Sequence, residues 1–445
     1  MARPPLIDVA PAPDALRVKR PDRVRLTYHL KVVTPMAGGG AVTRTPSAEI
    51  RAASIRGQLR WWWRATQVGS VKSTTDLFRD EANLFGSASR AGRVQVRVEV
   101  THDHGVDEVS PSVLTKLRDT PWRNELTYAL WPFRRSRDGK TPEAQLVDVP
   151  PDRPGPQLRF TLSLGCPTGT PEELEQLDQA VRAWVCYGGI GARTRRGCGS
   201  LALTDGRVFD PPMRRSSVAD DDDLSLVTAL PGAVLRGPKM TSAKEAWKKA
   251  VDDYRFFRQG EGFARNHGAR TPGRSRWPEP DSIRRVTPGS PGGAPPAFAP
   301  RHKPSHSVDW GFPRADLGLP IIFQFVKEDR EAGDPPETTL GNASGRFASP
   351  VVTKAVQVAG GQFRPMIALL GSPHVWAGGD LVLTNQRLPA SGVTVIRSDV
   401  DLSGYPPAVL SRYEPLRDPA LIGGSLPARE ALVACLQKRG WRRWP

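Results

Sequence analysis

The sequence is short of cysteine, of carboxylates and of uninterrupted apolar stretches. Its four cysteines, Cys166, Cys186, Cys198 and Cys435, form no C-x-x-C pair, which argues against a zinc ribbon and against a disulfide framework. No run of eighteen apolar residues occurs, and no basic amphipathic helix with an apolar tip is evident, so neither a membrane span nor a membrane-surface helix is expected. The opening "MARPPLIDVAPAPD" lacks the hydrophobic region of a secretory signal. These absences predict a cytoplasmic protein with no membrane partner.

The shortage of carboxylates leaves 46 Asp and Glu against 63 Lys and Arg, a net charge of +17 over 445 residues. Such an excess is the electrostatic footprint of a nucleic-acid binder. Three of the arginines fall among five glycines in "GGIGARTRRGCGS", residues 188–200. Here a backbone free to approach a ligand alternates with fixed guanidiniums. A Walker A loop is excluded, because Gly191 is followed by Gly197 and Cys198 with no lysine or magnesium-binding hydroxyl in place. The dinucleotide fingerprint is excluded too, since it opens a helix and this loop closes one. No cofactor is expected, and a polyanion held along its backbone remains.

The elements around that loop follow from periodicity. "RVRLTYHLKV" alternates as a half-buried strand with Tyr28, Leu30 and Val32 on one face. Ser54 is expected to cap the helix "SIRGQLRWWWRAT", whose apolar stripe is Ile55, Leu59 and Trp62. "DLFRDEANLF" reads as a short helix, and "RVQVRVEV" and "LRFTLSL" as further alternating strands. Thr170, Pro171 and Glu173 make a capping box for "TPEELEQLDQAVRAWVCYG", and "GSLALTD" closes as a strand. Strand, helix, strand, strand, helix, strand is the split βαβ or ferredoxin-like order. Arg56, Arg60 and Arg64 recur at four-residue spacing on the first helix. Alone they read as a solvated face. With Arg51, Trp61–Trp63 and Arg193, Arg195 and Arg196 they suggest one basic side of the molecule, with at most one or two of the tryptophans facing outward for base stacking.

In their combination, "TPMAGGGA", "IRAASIRGQLRWWWRA", "EANLFGS" and "GGIGARTRRGCGSL" resemble the RAMP superfamily (repeat-associated mysterious proteins) of CRISPR systems. With "GRSRWPEPDSIRR", "LGLPIIF" and "RFASPVV" the resemblance narrows to the first RAMP-module subunit of type III-B effector complexes. It implies an α+β chain of two modified ferredoxin-like (RRM-like, split βαβ) domains with a glycine-rich loop and long insertions. It also implies a non-catalytic RNA-binding subunit at the head end of a ribonucleoprotein filament for antiviral defence. Such a subunit contacts the 3′ region of the guide (CRISPR) RNA and the paired single-stranded target RNA, beside other RAMP subunits. Carried onto this sequence, the RNA-binding positions are Arg51, Arg56, Arg60, Arg64, Gly189, Gly191, Arg193, Arg195, Arg196, Gly197 and Gly199.

We divide the chain into residues 1–212, holding the glycine-rich loop, and residues 213–445, holding a Pro/Gly-rich insertion around 259–310. "FARNHGARTPGRSRWPEP" reads equally as a second RNA-facing segment or as an exposed loop. "TPGSPGGAPPAFAPRHKP" reads as a surface insertion, and Asp220–Asp223 as a solvated linker. Ser242 caps a helix whose stripe is Trp247, Ala250, Val251, Tyr254 and Phe257. "LPIIFQFV" and "FRPMIALLG" read as buried strands, and "PAREALVACLQKRGWRRWP" as a terminal helix with a basic aromatic tail for RNA or a neighbouring subunit.

Catalysis finds little support. A metal-independent, guide-processing ribonuclease would use a histidine such as His29 as general base, but no second histidine or acid is placed near it by sequence. His102 with His104, and His302 with His306, lack the further ligands a metal site needs. No Ser-His-Asp or Cys-His arrangement can be assembled, and the RRM aromatic signature is missing. The remaining alternative is a purely protein-binding assembly subunit.

Overall fold

Strand β1 (Val24–Val32) shows the alternation at work: Tyr28, Leu30 and Val32 are buried, while Thr27 and His29 point to the open side. The computed structural model describes residues 24–37, 50–101, 114–116, 127–133, 145–147, 158–166, 169–214, 224, 227–259, 275, 277, 279–288, 312–325, 330, 333–342, 346–373, 380–396 and 427–445. His102, His104, His302, His306, Asp220–Asp223 and most of the two Pro/Gly-rich stretches lie outside the described residues.

The first half continues through β2 (Met36–Ala37), α1 (Ala52–Gln67), α2 (Thr74–Phe85), β3 (Gln95–Thr101), β4 (Leu114–Lys116), α3 (Thr127–Leu130), β5 (Gln145–Val147), β6 (Arg159–Cys166), α4 (Pro171–Tyr187) and β7 (Leu201–Leu203). A four-stranded antiparallel sheet has the order β3-β6-β1-β7, and β2, β5 and β4 form a small separate sheet. Helices α1 and α4 pack together on one sheet face, burying Leu59, Trp62, Trp63, Val181 and Trp184 against Leu30, Phe160 and Leu162. Trp61 alone of its three neighbours stays partly exposed.

The ends of the two helices differ in how the sequence marks them. At α4 the capping box forms: the Thr170 hydroxyl accepts from the Glu173 N–H at 3.3 Å, and the Glu173 carboxylate accepts from the Thr170 N–H at 3.2 Å. Helix α1 begins two residues before the expected cap. Arg51, extended at φ −111° and ψ 133°, is its N-cap, its carbonyl accepting from the Ile55 N–H at 3.1 Å, and Ser54 sits inside the first turn. The Ser54 hydroxyl instead faces the Arg51 guanidinium at 3.4 Å.

The second half consists of β8 (Ala229–Arg236), α5 (Ala243–Gln259), α6 (Glu279–Val286), β9 (Ile321–Phe323), β10 (Thr338–Asn342), β11 (Val351–Gln357), β12 (Phe363–Gly371), β13 (Leu381–Thr384), β14 (Val393–Ile396), α7 (Ala428–Lys438) and β15 (Arg442–Arg443). Its main sheet has the order β11-β12-β8-β15. Taken along the chain, β8, α5, β11, β12, α7 and β15 repeat the connectivity and strand order of β1, α1, β3, β6, α4 and β7. The C-terminal tail is therefore the fourth strand of a sheet. A further sheet, β14-β13-β10-β9, is inserted into this repeat. The expected burial of "LPIIFQFV" is only partial: β9 is an edge strand, and Ile322 is 58% exposed.

The two halves share a core. One face of the second sheet, with Val234, Val352, Met366, Ala368 and Leu370, joins the cluster built on α1 and α4. The opposite face, with Leu235, Ile367 and Leu369, is covered by α5 and α7 through Tyr254, Phe257, Leu432 and Leu436.

Candidate nucleic-acid interface

The glycine-rich loop leaves α4 at Gly188 and enters β7 at Leu201, and its course is set by backbone that few side chains tolerate. Gly197 has φ +79°, and a Cβ on it would stand 2.5 Å from the Trp247 ring. A Cβ on Gly199, at φ +60°, would stand 1.9 Å from the Ile190 carbonyl oxygen. Gly189 and Gly191 also have positive φ, at 158° and 80°. Arg193 is the one described residue other than glycine with positive φ, at 63°, a left-handed conformation that costs about 1–2 kcal/mol. Two hydrogen bonds offset that cost: its guanidinium donates to the carbonyls of Ala129 at 3.0 Å and Tyr128 at 3.2 Å, in the last turn of α3.

The neighbouring arginines reach into the second half. Arg195 donates to the Ser349 carbonyl at 2.5 Å and lies over the Trp61 ring at 5.7 Å. Arg196 is buried, donates to the Val351 carbonyl at 2.6 Å and stacks on Tyr254 at 4.8 Å. Its own carbonyl accepts from the Trp247 indole at 2.6 Å. All three guanidiniums thus pair with carbonyl oxygens, and no carboxylate of the described residues neutralises them. Burial pulls the Arg193 pKa below its usual value, and the Arg196 charge adds to the effect. The same two causes bring Arg195 down to about 10.

A residue that the sequence reading did not single out fixes the start of the loop. Lys354 on β11 is 0% exposed and donates to the carbonyls of Val185 at 2.6 Å and Gly188 at 2.5 Å. These are orphan carbonyls at the negative end of α4. Burial brings Lys354 down to about 7, while it pushes the thiol of Cys186 up to about 12. The loop is a clasp between the halves that carries surplus positive charge.

The basic face of α1 divides in two. Arg60 and Arg64 both donate to one Glu81 oxygen at 2.6 Å, and Glu81 is only 2% exposed, so these charges are partly neutralised. Arg56 donates to the Phe85 carbonyl. The Arg51 Nε is buried without a partner. The Arg51 side chain does not cap α1 and its first turn has no acidic residue, so among the described residues no carboxylate offsets its positive end. Beside it opens a cleft of about 910 Å³ lined by Ala52, Arg56, Arg60, Phe85, Ser87 and Arg90, where "SIRGQLR" and "EANLFGS" meet. Trp131, also unanticipated, stands 60% exposed just beyond the α3 carbonyls that hold Arg193.

Candidate chemistry is sparse. The exposed His29 has its Nδ1 3.1 Å from the Thr161 hydroxyl. The next acid in that cross-strand row, Glu99, lies one strand beyond Thr161, about 10 Å from His29 at the usual strand spacing and beyond direct proton transfer. Among the described residues no group of three His, Cys, Asp or Glu side chains could hold a metal, and no helix is long and apolar enough to cross a membrane. The four cysteines are buried and none is in a disulfide.

Comparison with known proteins agrees with the sequence resemblance. Residues 29–202 match the family model of the RAMP superfamily. The CRISPR system Cmr subunit Cmr1-2 of Pyrococcus furiosus is 29% identical over 187 residues, which span 40% of this chain and 93% of that relative. Among solved structures, apo Cmr1 from Pyrococcus furiosus aligns over 78% of this chain and 88% of its own, at 15% identity and a TM-score of 0.44. Type III-B Cmr-beta bound to cognate target RNA aligns over 78% and 94% of the two chains, at 10% identity and a TM-score of 0.38. The span from β1 to β7, which carries both the arginine helix and the glycine-rich loop, is thus the part of this α+β chain that matches the RAMP superfamily model.

Proposed function

We propose that the protein is a non-catalytic RNA-binding subunit at the head end of a type III-B CRISPR effector complex, contacting the 3′ region of the guide RNA and the paired target. Its partners are then other RAMP subunits as well as RNA, and each repeated half is a modified ferredoxin-like domain, divided near residue 212. The observation that carries this reading is the cluster Arg193, Arg195 and Arg196, whose guanidiniums donate to carbonyl oxygens and pair with no carboxylate of the described residues. An uncompensated cationic cluster at a partly desolvated junction is completed by an anion. The relationship to a Cmr subunit over nearly that subunit's whole length says which anion to try first.

The eleven positions carried over from the family take two parts in this reading. Arg51, Arg56, Arg193 and Arg195 retain exposed surface and face phosphates. Arg196, Gly189, Gly191, Gly197 and Gly199 shape and anchor the loop, and Arg60 and Arg64 contribute the charge left over from Glu81. The partly exposed Trp61 and the exposed Trp131 offer ring surface for stacking on bases. Binding to single-stranded RNA should weaken with salt, with a log–log slope of about −0.7 per phosphate neutralised. Arg195→Ala should make that slope shallower. An unchanged slope would remove the loop from the RNA site, and RNA binding that is absent even at low salt would favour the protein-binding assembly reading.

A further inference from the structure

The second sheet carries a group of like charges that no carboxylate of the described residues neutralises. In its register Arg442 on β15 stands directly opposite Arg236 on β8, Arg236 opposite Met366 on β12, and Met366 opposite Lys354 on β11. Directly opposed residues share a face, so Lys354, Arg236 and Arg442 form one row across the sheet. Arg364, two residues before Met366, lies on the same face, diagonal to Arg236. Lys354 ends the row inside the protein, on the α4 carbonyls. The other end is open: Arg442 is exposed, and Arg236 and Arg364 are half-buried.

Like charges placed directly opposite in a sheet destabilise it, and here no carboxylate of the described residues lies within ion-pairing distance of Arg236, Arg364 or Arg442. Burial lowers the pKa of Arg364, and the charges of Arg236 and Arg442 lower it further. Two of the guanidiniums, those of Arg236 and Arg364, are nonetheless held in place. Arg236 lies over the Trp444 ring at 5.7 Å, and Arg364 donates to the Gly237 carbonyl at 2.6 Å. Trp444 is itself fixed by the bond from its N–H to the Val234 carbonyl at 2.8 Å. Held forks with unused donors suit the paired oxygens of a phosphodiester.

We propose that Arg236, Arg364 and Arg442 form a second anion site, for phosphates of a single-stranded RNA backbone, on the part of the chain outside residues 29–202. The site rests on the RNA-binding reading above and extends it to the second half. RNA is favoured over an acidic peptide by position. The cluster belongs to the sheet face that packs on α1, the helix whose Trp61 lies under Arg195. A strand running along the junction of the two halves would therefore meet the loop first and this cluster next.

The test uses the full chain, a fluorescently labelled single-stranded RNA of mixed sequence, a KCl titration and thermal unfolding. Arg442→Gln should make the log–log salt slope shallower by about 0.7, with no loss of thermal stability. Arg442→Glu gives Arg236 a cross-strand partner, so it should raise the melting temperature while weakening RNA binding at least tenfold at low salt. That opposition separates an anion site from a structural role, because a residue needed only for folding would lower both. Wild-type protein that binds RNA while both Arg442 variants bind equally well overturns this site and leaves the loop reading intact. Wild-type protein that binds no RNA overturns both. Polyglutamate binding more tightly than RNA at equal ionic strength overturns it in favour of an acidic protein partner.

Discussion

Gly197→Ala tests whether the loop is a clasp between the halves. At φ +79° an alanine takes on left-handed backbone strain of about 1–2 kcal/mol. Its methyl group would stand 2.5 Å from Cδ1 and Nε1 of Trp247 and 2.7 Å from the Thr353 carbonyl oxygen. Trp247 has no free side to retreat to, since it is fully buried and its indole donates to the Arg196 carbonyl at 2.6 Å. Displacing that ring costs about 1–3 kcal/mol as overpacking, and weakening its hydrogen bond about 1 kcal/mol more. We expect a loss of about 3–6 kcal/mol, read by urea unfolding followed through tryptophan fluorescence. The control is Gly206→Ala, where φ is +81° and nothing lies within 4 Å of the added methyl. It should cost only the backbone term, about 1–2 kcal/mol. Equal losses in the two variants would refute the claim that the loop is pinned against the second half.

Other residues give independent checks. Lys354 titrates near 7 in the folded protein against an ordinary 10.5, so between those values the unfolded chain binds more protons and stability rises with pH, by about 1.4 kcal/mol per pH unit. Urea unfolding at pH 7, 8 and 9 should show this rise, and Lys354→Met should flatten it; a rise that persists in the variant assigns it to another group. Glu81→Gln removes the carboxylate shared by Arg60 and Arg64, so it should cost about 1–3 kcal/mol and steepen the salt dependence of RNA binding. Unchanged RNA binding would take those two arginines out of the interface. Thr170→Ala should cost about 1 kcal/mol through loss of the capping box, measured by thermal unfolding; no change would mean that α4 is held by packing alone.

Where the determinants are local, the sequence was enough to place the element. The alternation of β1 and β6, the Thr170–Glu173 box and the Trp247–Phe257 stripe all appear where periodicity and capping put them. The destination of the loop arginines was not legible. The acceptors of Arg195 and Arg196 are the carbonyls of Ser349 and Val351, 154 and 155 residues away, and a backbone carbonyl leaves no mark in the residue types. Two signals were present and unused. Lys354 is a lone cation inside "VVTKAVQ", a strand otherwise buried along most of its length, and such a lysine needs fixed acceptors. The tail "GWRRWP" is too short for period-2 reading, yet the repeated strand and helix order of the first half calls for a fourth strand there. The Ser54 expectation failed for a different reason: an extended Arg51 opened the helix first, and its cap needs no side-chain oxygen.

The central claim is that this chain holds a guide RNA within a CRISPR effector. The most direct measurement is to isolate the tagged protein from its own host under gentle conditions, sequence the RNA bound to it and identify the accompanying proteins. Repeat-derived guides together with other RAMP subunits are the predicted result. RNA of random sequence, or none, would contradict the claim and leave the uncompensated arginines of the loop in need of another anion.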